Sequence, residues 1–137
     1  VAGSNSESRL VILLDTDVMV DVLRGYGPAI DWLGELRDQE IGVPGLVAME
    51  LIQGCQNARE QKQLETKLAD YQLYWPDADD CERALRNFSN HYLSDNIGLL
   101  DALIAETAIG IRADVATFNV KHYRVIKGLR SIQPYKR

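Results

Sequence analysis

Leu10-Val11-Ile12-Leu13-Leu14-Asp15-Thr16-Asp17 is the stretch that decides the fold. Five apolar residues run without alternation and stop abruptly at an aspartate. Unbroken apolarity over strand length predicts a strand buried on both faces, which is the environment of a parallel sheet covered by helices on each side. In such sheets, ligands bind beyond the carboxyl ends of the strands, where the strand order reverses. Asp15 therefore falls where a functional group is expected, on backbone held rigid by the sheet.

Outward from this strand the chain alternates. Asp17–Arg24 reads as a short helix broken by Gly25-Tyr26-Gly27-Pro28, and Ala29–Asp38 as a second, with Ile30, Leu33 and Leu36 at helical spacing. Ile41–Pro44 is a strand candidate, followed by helices over Leu46–Cys55 and Glu60–Asp70. Tyr71–Trp75, closed by Pro76, reads as a strand, and Asp77–Asp80 supplies capping chemistry for a helix over Cys81–Tyr92. A helix over Leu99–Ile109 is expected to stop at Gly110; strands are expected at Asp114–Thr117 and Ser131–Gln133. The alternation predicts one α/β domain over residues 9–137 with a mainly parallel central sheet flanked by helices. Residues 1–8 read as a loose tail or an expression scar, not a signal peptide.

Composition narrows the function classes. The 137 residues are 46% hydrophobic, enough for a core without staples, and 26% charged with 4 prolines, which argues against disorder. No apolar run approaches the ~18 residues of a membrane helix. Cys55 and Cys81 lack any CxxC or Cys/His pairing, so zinc is disfavoured and reduced thiols of a cytoplasmic protein are the expectation. The net charge of −5 opposes bulk attraction to nucleic acid, but it is unevenly spread. Residues 112–137 hold seven Lys or Arg against Asp114 alone, so they carry +6 and the rest of the chain −11. A basic end could grip phosphates, or simply pair with the acidic body.

Asp15, Glu50, Asp101 and Asn119 qualify as candidates by position. Asp15 ends the first strand, and could serve only as a helix N-cap. Asp17 and Asp21 follow it on the next helix. Glu50 interrupts an apolar helix, although Glu50, Gln53, Gly54 and Asn57 share a face that could simply be solvated. Asp101 shares a stripe with Ile104, Ala105 and Ala108, while Glu106 points elsewhere; a carboxylate there is costly unless capped, paired or metal-bound. Asn119 lies just past the strand at 114–117. Were Asp15, Glu50 and Asp101 to converge at ~5 Å, each pair would repel by roughly 3 kcal/mol at an effective dielectric of 20. Such a cluster calls for a hard cation, Mg²⁺ or Mn²⁺, and phosphodiester hydrolysis is its natural chemistry.

Val11–Val18, Val47–Leu51, Leu100–Ala105 and Ala116–Tyr123, taken in order, give the sequence a family resemblance. It resembles the PIN-domain ribonucleases, and most closely the VapC-type toxins of toxin–antitoxin pairs, over about Arg9 to Gln133. The resemblance implies a cytoplasmic, metal-dependent endoribonuclease in which Asp15, Glu50 and Asp101 hold Mg²⁺ or Mn²⁺. It implies in-line attack by an activated water, leaving a 5′-phosphate end, and an RNA substrate, a small antitoxin that blocks the site, and a homodimer. Asn119 stands where many members carry a fourth acid, which bears on a second metal; Asn119 and Thr117 would then orient a phosphate or the water. Lys121, Arg124 and Lys127 are weaker candidates to anchor RNA.

Two other readings compete. Asp15-Thr16-Asp17-Val18 also fits the start of a haloacid-dehalogenase phosphatase, with Asp15 as nucleophile and Asp17 as acid/base. That reading lacks a suitable later lysine, matches its acidic pair only loosely at Asp79-Asp80, and needs a longer chain. The other is a catalytically weak PIN-like module that only binds RNA or protein. His91 and His122 read as surface or packing histidines, and Trp32 and Trp75 as core.

Overall fold

The computed structural model describes residues 11–36 and 38–137. The tail at 1–8 and the first residue of the Leu10–Leu14 strand lie outside them. Strand β1 (Val11–Leu14) leads into helix α1 (Thr16–Leu23) and helix α2 (Gly27–Glu35). Strand β2 (Glu40–Pro44), helices α3 (Gly45–Gln53) and α4 (Ala58–Leu68) and strand β3 (Gln72–Tyr74) follow. The chain then forms α5 (Ala78–Asp95), α6 (Leu99–Gly110), β4 (Asp114–Ala116), α7 (Val120–Tyr123) and β5 (Arg130–Ile132).

The five strands are all parallel, in the order β3-β2-β1-β4-β5. The chain builds outward from β1 through β2 to β3, then crosses back to lay β4 and β5 on the other side. The order therefore reverses between β1 and β4, the kind of switch point at which a ligand crevice forms beyond the strands' carboxyl ends. Leu14 pairs with Ala116, and the Asp15 N–H donates to the Ala116 carbonyl at 3.0 Å. Asp15 and Thr117 are thus delivered side by side to that crevice.

The core explains why these residues form these elements. Leu13, Leu14, Val43 and Val115 are fully buried between helix layers, as the unbroken apolarity of β1 foretells. Ala102, Ala105 and Ala108 let α6 lie close against its neighbours, and α6 is buried on nearly every side. Its Glu106 is buried as well, held by Arg83 Nε at 2.9 Å and Asn87 Nδ2 at 2.7 Å; Arg83 also bonds Asp80. This network bolts α5 to α6.

The Asp77 cap is present, reciprocated by Asp80 at the third helical position, so α5 starts where its acids place it. Gly110 does not stop α6 but belongs to it. A Cβ there would lie 2.7 Å from Asp80 Oδ1, so the glycine serves the α5–α6 approach. Helix α7 was not anticipated, because four residues carry no periodicity. Trp32 is core, but Trp75 is 54% exposed, its ring laid over Gly45.

Candidate active site

Asp15 is the centre of the crevice and is 5% exposed. Its Oδ1 accepts the Thr16 N–H at 2.8 Å, so the capping role is real. Its Oδ2 accepts the Thr117 hydroxyl at 2.8 Å and the Tyr123 hydroxyl at 3.2 Å. Burial first, and then the neighbouring charge of Asp17, push this carboxyl up to about 6, against the Thr117 and Thr16 bonds that favour the anion. The charge of Asp101, on α6, adds a smaller upward push.

Asp17 fixes the other wall. Its Oδ1 takes the Val18 N–H, and its Oδ2 takes the Phe118 N–H at 3.0 Å, tying α1 to the turn after β4. Burial again raises its carboxyl above the ordinary range. Thr117 accepts the Asn119 N–H at 2.9 Å, so Asn119 is held within the same turn. Tyr123, buried and bonded to Asp15, has its phenol pushed far toward the neutral form, chiefly by burial and then by the charges of Asp15 and Asp101.

Glu50 reaches the site from α3: its Oε1 accepts the Thr16 hydroxyl. It is therefore half-buried and engaged rather than an idle solvated residue. Asp101 accepts the Gly98 N–H at 3.3 Å, the capping contact, and lies 3.9 Å from His122 Nδ1. His122, read from sequence as a packing or surface residue, thus faces the site.

Two clefts flank this centre. One, of about 470 Å³, runs from Thr16 and Glu50 along α1, α3 and α4 past Val20, Leu51, Leu64 and Lys67. The other, of about 610 Å³, is lined by Phe118, Asn119, Lys121, His122, Arg124 and Gln133. Lys121 and Arg124 thus share a cleft with Asn119, whereas Lys127 lies apart in a depression with Asn87 and His91. The basic end divides its labour. Arg130 pairs with Asp114 and Arg137 with Asp21, while Lys121, Arg124 and Lys127 have no ion pair among the described residues.

The donor set suits a hard cation. The crevice offers carboxylate oxygens, and burial has driven up the proton affinity of its central acid with no Lys or Arg salt-bridged to it among the described residues. Among the described residues, no three His, Cys, Asp or Glu side chains are gathered closely enough to hold a metal ion between them. Mg²⁺ does not require three: it is commonly held by one or two carboxylates and keeps several waters. Asp15 and Asp101, with Glu50 linked to Asp15 through Thr16, are the carboxylates that such an open arrangement would use.

The PIN domain family profile matches residues 12–128. The chain belongs to the PIN-domain family. Curated relatives place this PIN domain among VapC proteins. It is 33% identical over 128 residues to "Ribonuclease VapC19" of Mycobacterium tuberculosis, covering 86% of this chain and 96% of that one. It is 32% identical over 123 residues to "Ribonuclease VapC10" of the same organism, covering 88% and 91%. Among solved structures, a toxin–antitoxin complex from Klebsiella pneumoniae superposes with a TM-score of 0.74 at 22% identity, covering 92% and 99% of the two chains. VapBC2 from Rickettsia felis, bound to a promoter DNA fragment, gives 0.74 at 21%, covering 90% and 98%. The same PIN membership sets aside the phosphatase reading. Its required acid/base, Asp17, is occupied by two backbone N–H groups.

Proposed function

We propose that this chain is a metal-dependent endoribonuclease of the toxin type, hydrolysing RNA phosphodiester bonds. The observation that carries the reading is Asp15 at the switch point, buried, within reach of the Asp101 charge, and salt-bridged to no basic residue among the described residues. VapC relatives named as ribonucleases support the substrate class.

Asp15 and Asp101, with Glu50, would hold Mg²⁺ or Mn²⁺, which when bound polarises the phosphate and lowers the pKa of a water. Thr117 keeps Asp15 oriented, and Thr16 keeps Glu50 beside it. Asn119, presenting an amide where a carboxylate would add charge, orients a phosphate oxygen or the attacking water and favours one strong cation site over two. Lys121 and Arg124 line the adjoining cleft and anchor the RNA backbone. Cleavage would leave a 5′-phosphate end.

Neighbours solved as toxin–antitoxin complexes support an antitoxin partner for this chain. On α5, Leu85, Tyr92 and Leu93 are 63%, 51% and 92% exposed, apolar area that supports a homodimer.

The test is cleavage of a labelled structured RNA with Mn²⁺ or Mg²⁺, with EDTA, and by Asp15→Asn and Asp101→Asn. Cleavage that needs the cation and falls at least 100-fold in both folded variants is expected. Cleavage surviving EDTA or either substitution would overturn the reading.

A further inference from the structure

We infer that the Tyr123 hydroxyl is a positioning group that locks one oxygen of Asp15 so that the other is presented to the cation. The inference rests on the metal-dependent reading above.

The hydrogen-bond pattern decides which oxygen is which. Thr117 has one hydroxyl proton and accepts from the Asn119 N–H, so that proton goes to Asp15 Oδ2. Tyr123 donates to the same Oδ2, and Asp15 is the one hydrogen-bond partner of its hydroxyl among the described residues. Both donors come from a single stiff piece of chain. The Tyr123 N–H closes back on the Asn119 carbonyl, one turn after Thr117 leaves β4. Oδ2 therefore carries two side-chain donors, while among the described residues Oδ1 accepts the Thr16 backbone N–H alone. Oδ1 retains the lone-pair capacity for a ligand bond, and Asp15 is set up to bind through that one oxygen.

A plain packing role would also bury this residue, at 1% exposure, so the test must separate the ring from its hydroxyl. Tyr123→Phe keeps the ring and removes one oxygen. Partners that orient a metal ligand typically contribute 10–100-fold in metal affinity. Mn²⁺ binding to the folded variant by titration calorimetry is expected to weaken by about that factor, with kcat reduced and KM for RNA unchanged. Thr117→Val, acting on the same oxygen, is expected to combine with it non-additively. Wild-type Mn²⁺ affinity in folded Tyr123→Phe overturns the inference, as does a rise in KM at constant kcat. Asp15→Asn run alongside isolates the parent reading: if it binds Mn²⁺ as wild type does, metal ligation by Asp15 itself fails.

A second readout needs no variant. In wild-type protein titrated with Mg²⁺, the Tyr123 ring Cζ and the Asp15 carboxyl carbon are expected to shift with one midpoint by NMR. A responsive Asp15 beside an unresponsive Tyr123 overturns the inference even if Tyr123→Phe does not fold.

Discussion

Asp15 caps a helix and ends the strand at the proposed site at once, and the two roles are compatible because the cap uses only part of one oxygen's accepting capacity. The Thr16 N–H occupies part of Oδ1, and the side-chain donors occupy Oδ2. Its raised proton affinity has a consequence for stability. In cation-free protein the carboxyl titrates at about 6 against an ordinary 3.8, so between those values the folded chain holds more proton than the unfolded one. By linkage, this contribution stabilises fully below pH 4 and is lost as pH rises through 6, about 3 kcal/mol in all. Asp17, shifted the same way, adds to the slope. Denaturant melts in EDTA from pH 4 to 8 should therefore show wild type losing stability while Asp15→Asn stays flatter, with Mn²⁺ restoring wild type at pH 7. A wild-type curve parallel to the variant's would refute the assignment. Asp15 was legible in the sequence because an apolar strand ends on it. Tyr123 was not, since its hydroxyl meets Asp15 across 108 positions and an aromatic residue near a chain's end reads first as core.

At the scale of elements, the site depends on how closely α6 packs, because α6 carries Asp101. Ala105 is fully buried on the face that the sequence marks as a stripe of small residues. Ala105→Leu should destabilise by about 1–3 kcal/mol through overpacking, and cleavage should fall with it as Asp101 is displaced. Thermal unfolding and RNA cleavage on the same sample check both, and unchanged values would show that α6 has room to spare. Strands and long helices were readable from periodicity and caps, as the Asp77–Asp80 box on α5 shows. Three features were not. Helix α7 is too short for a period, Gly110 carries a packing demand that imitates a stop signal, and Glu106 sits in a buried network with Arg83 and Asn87 that no spacing rule reveals.

Over the whole molecule, the charge asymmetry resolves into two uses. Arg130 and Arg137 neutralise Asp114 and Asp21, which is the pairing expected of a basic end beside an acidic body. Lys121 and Arg124 instead line the cleft that holds Asn119. Affinity of cleavage-dead Asp15→Asn for single-stranded RNA, measured against salt, should lose about 0.7 of logarithmic slope for each of Lys121→Ala and Arg124→Ala. Lys127→Ala, in a separate depression, should leave the slope unchanged. A loss only at Lys127 would place the RNA path elsewhere. No helix among the described residues is long and apolar enough to cross a membrane. On the proposed function, the crevice between β1 and β4 holds a divalent cation through Asp15 and Asp101. Anomalous diffraction from crystals soaked in Mn²⁺ addresses it most directly. An anomalous peak roughly 2 Å from Asp15 Oδ1 and from an Asp101 carboxylate oxygen is the predicted result; a peak elsewhere, or none in this crevice at saturating Mn²⁺, would contradict it.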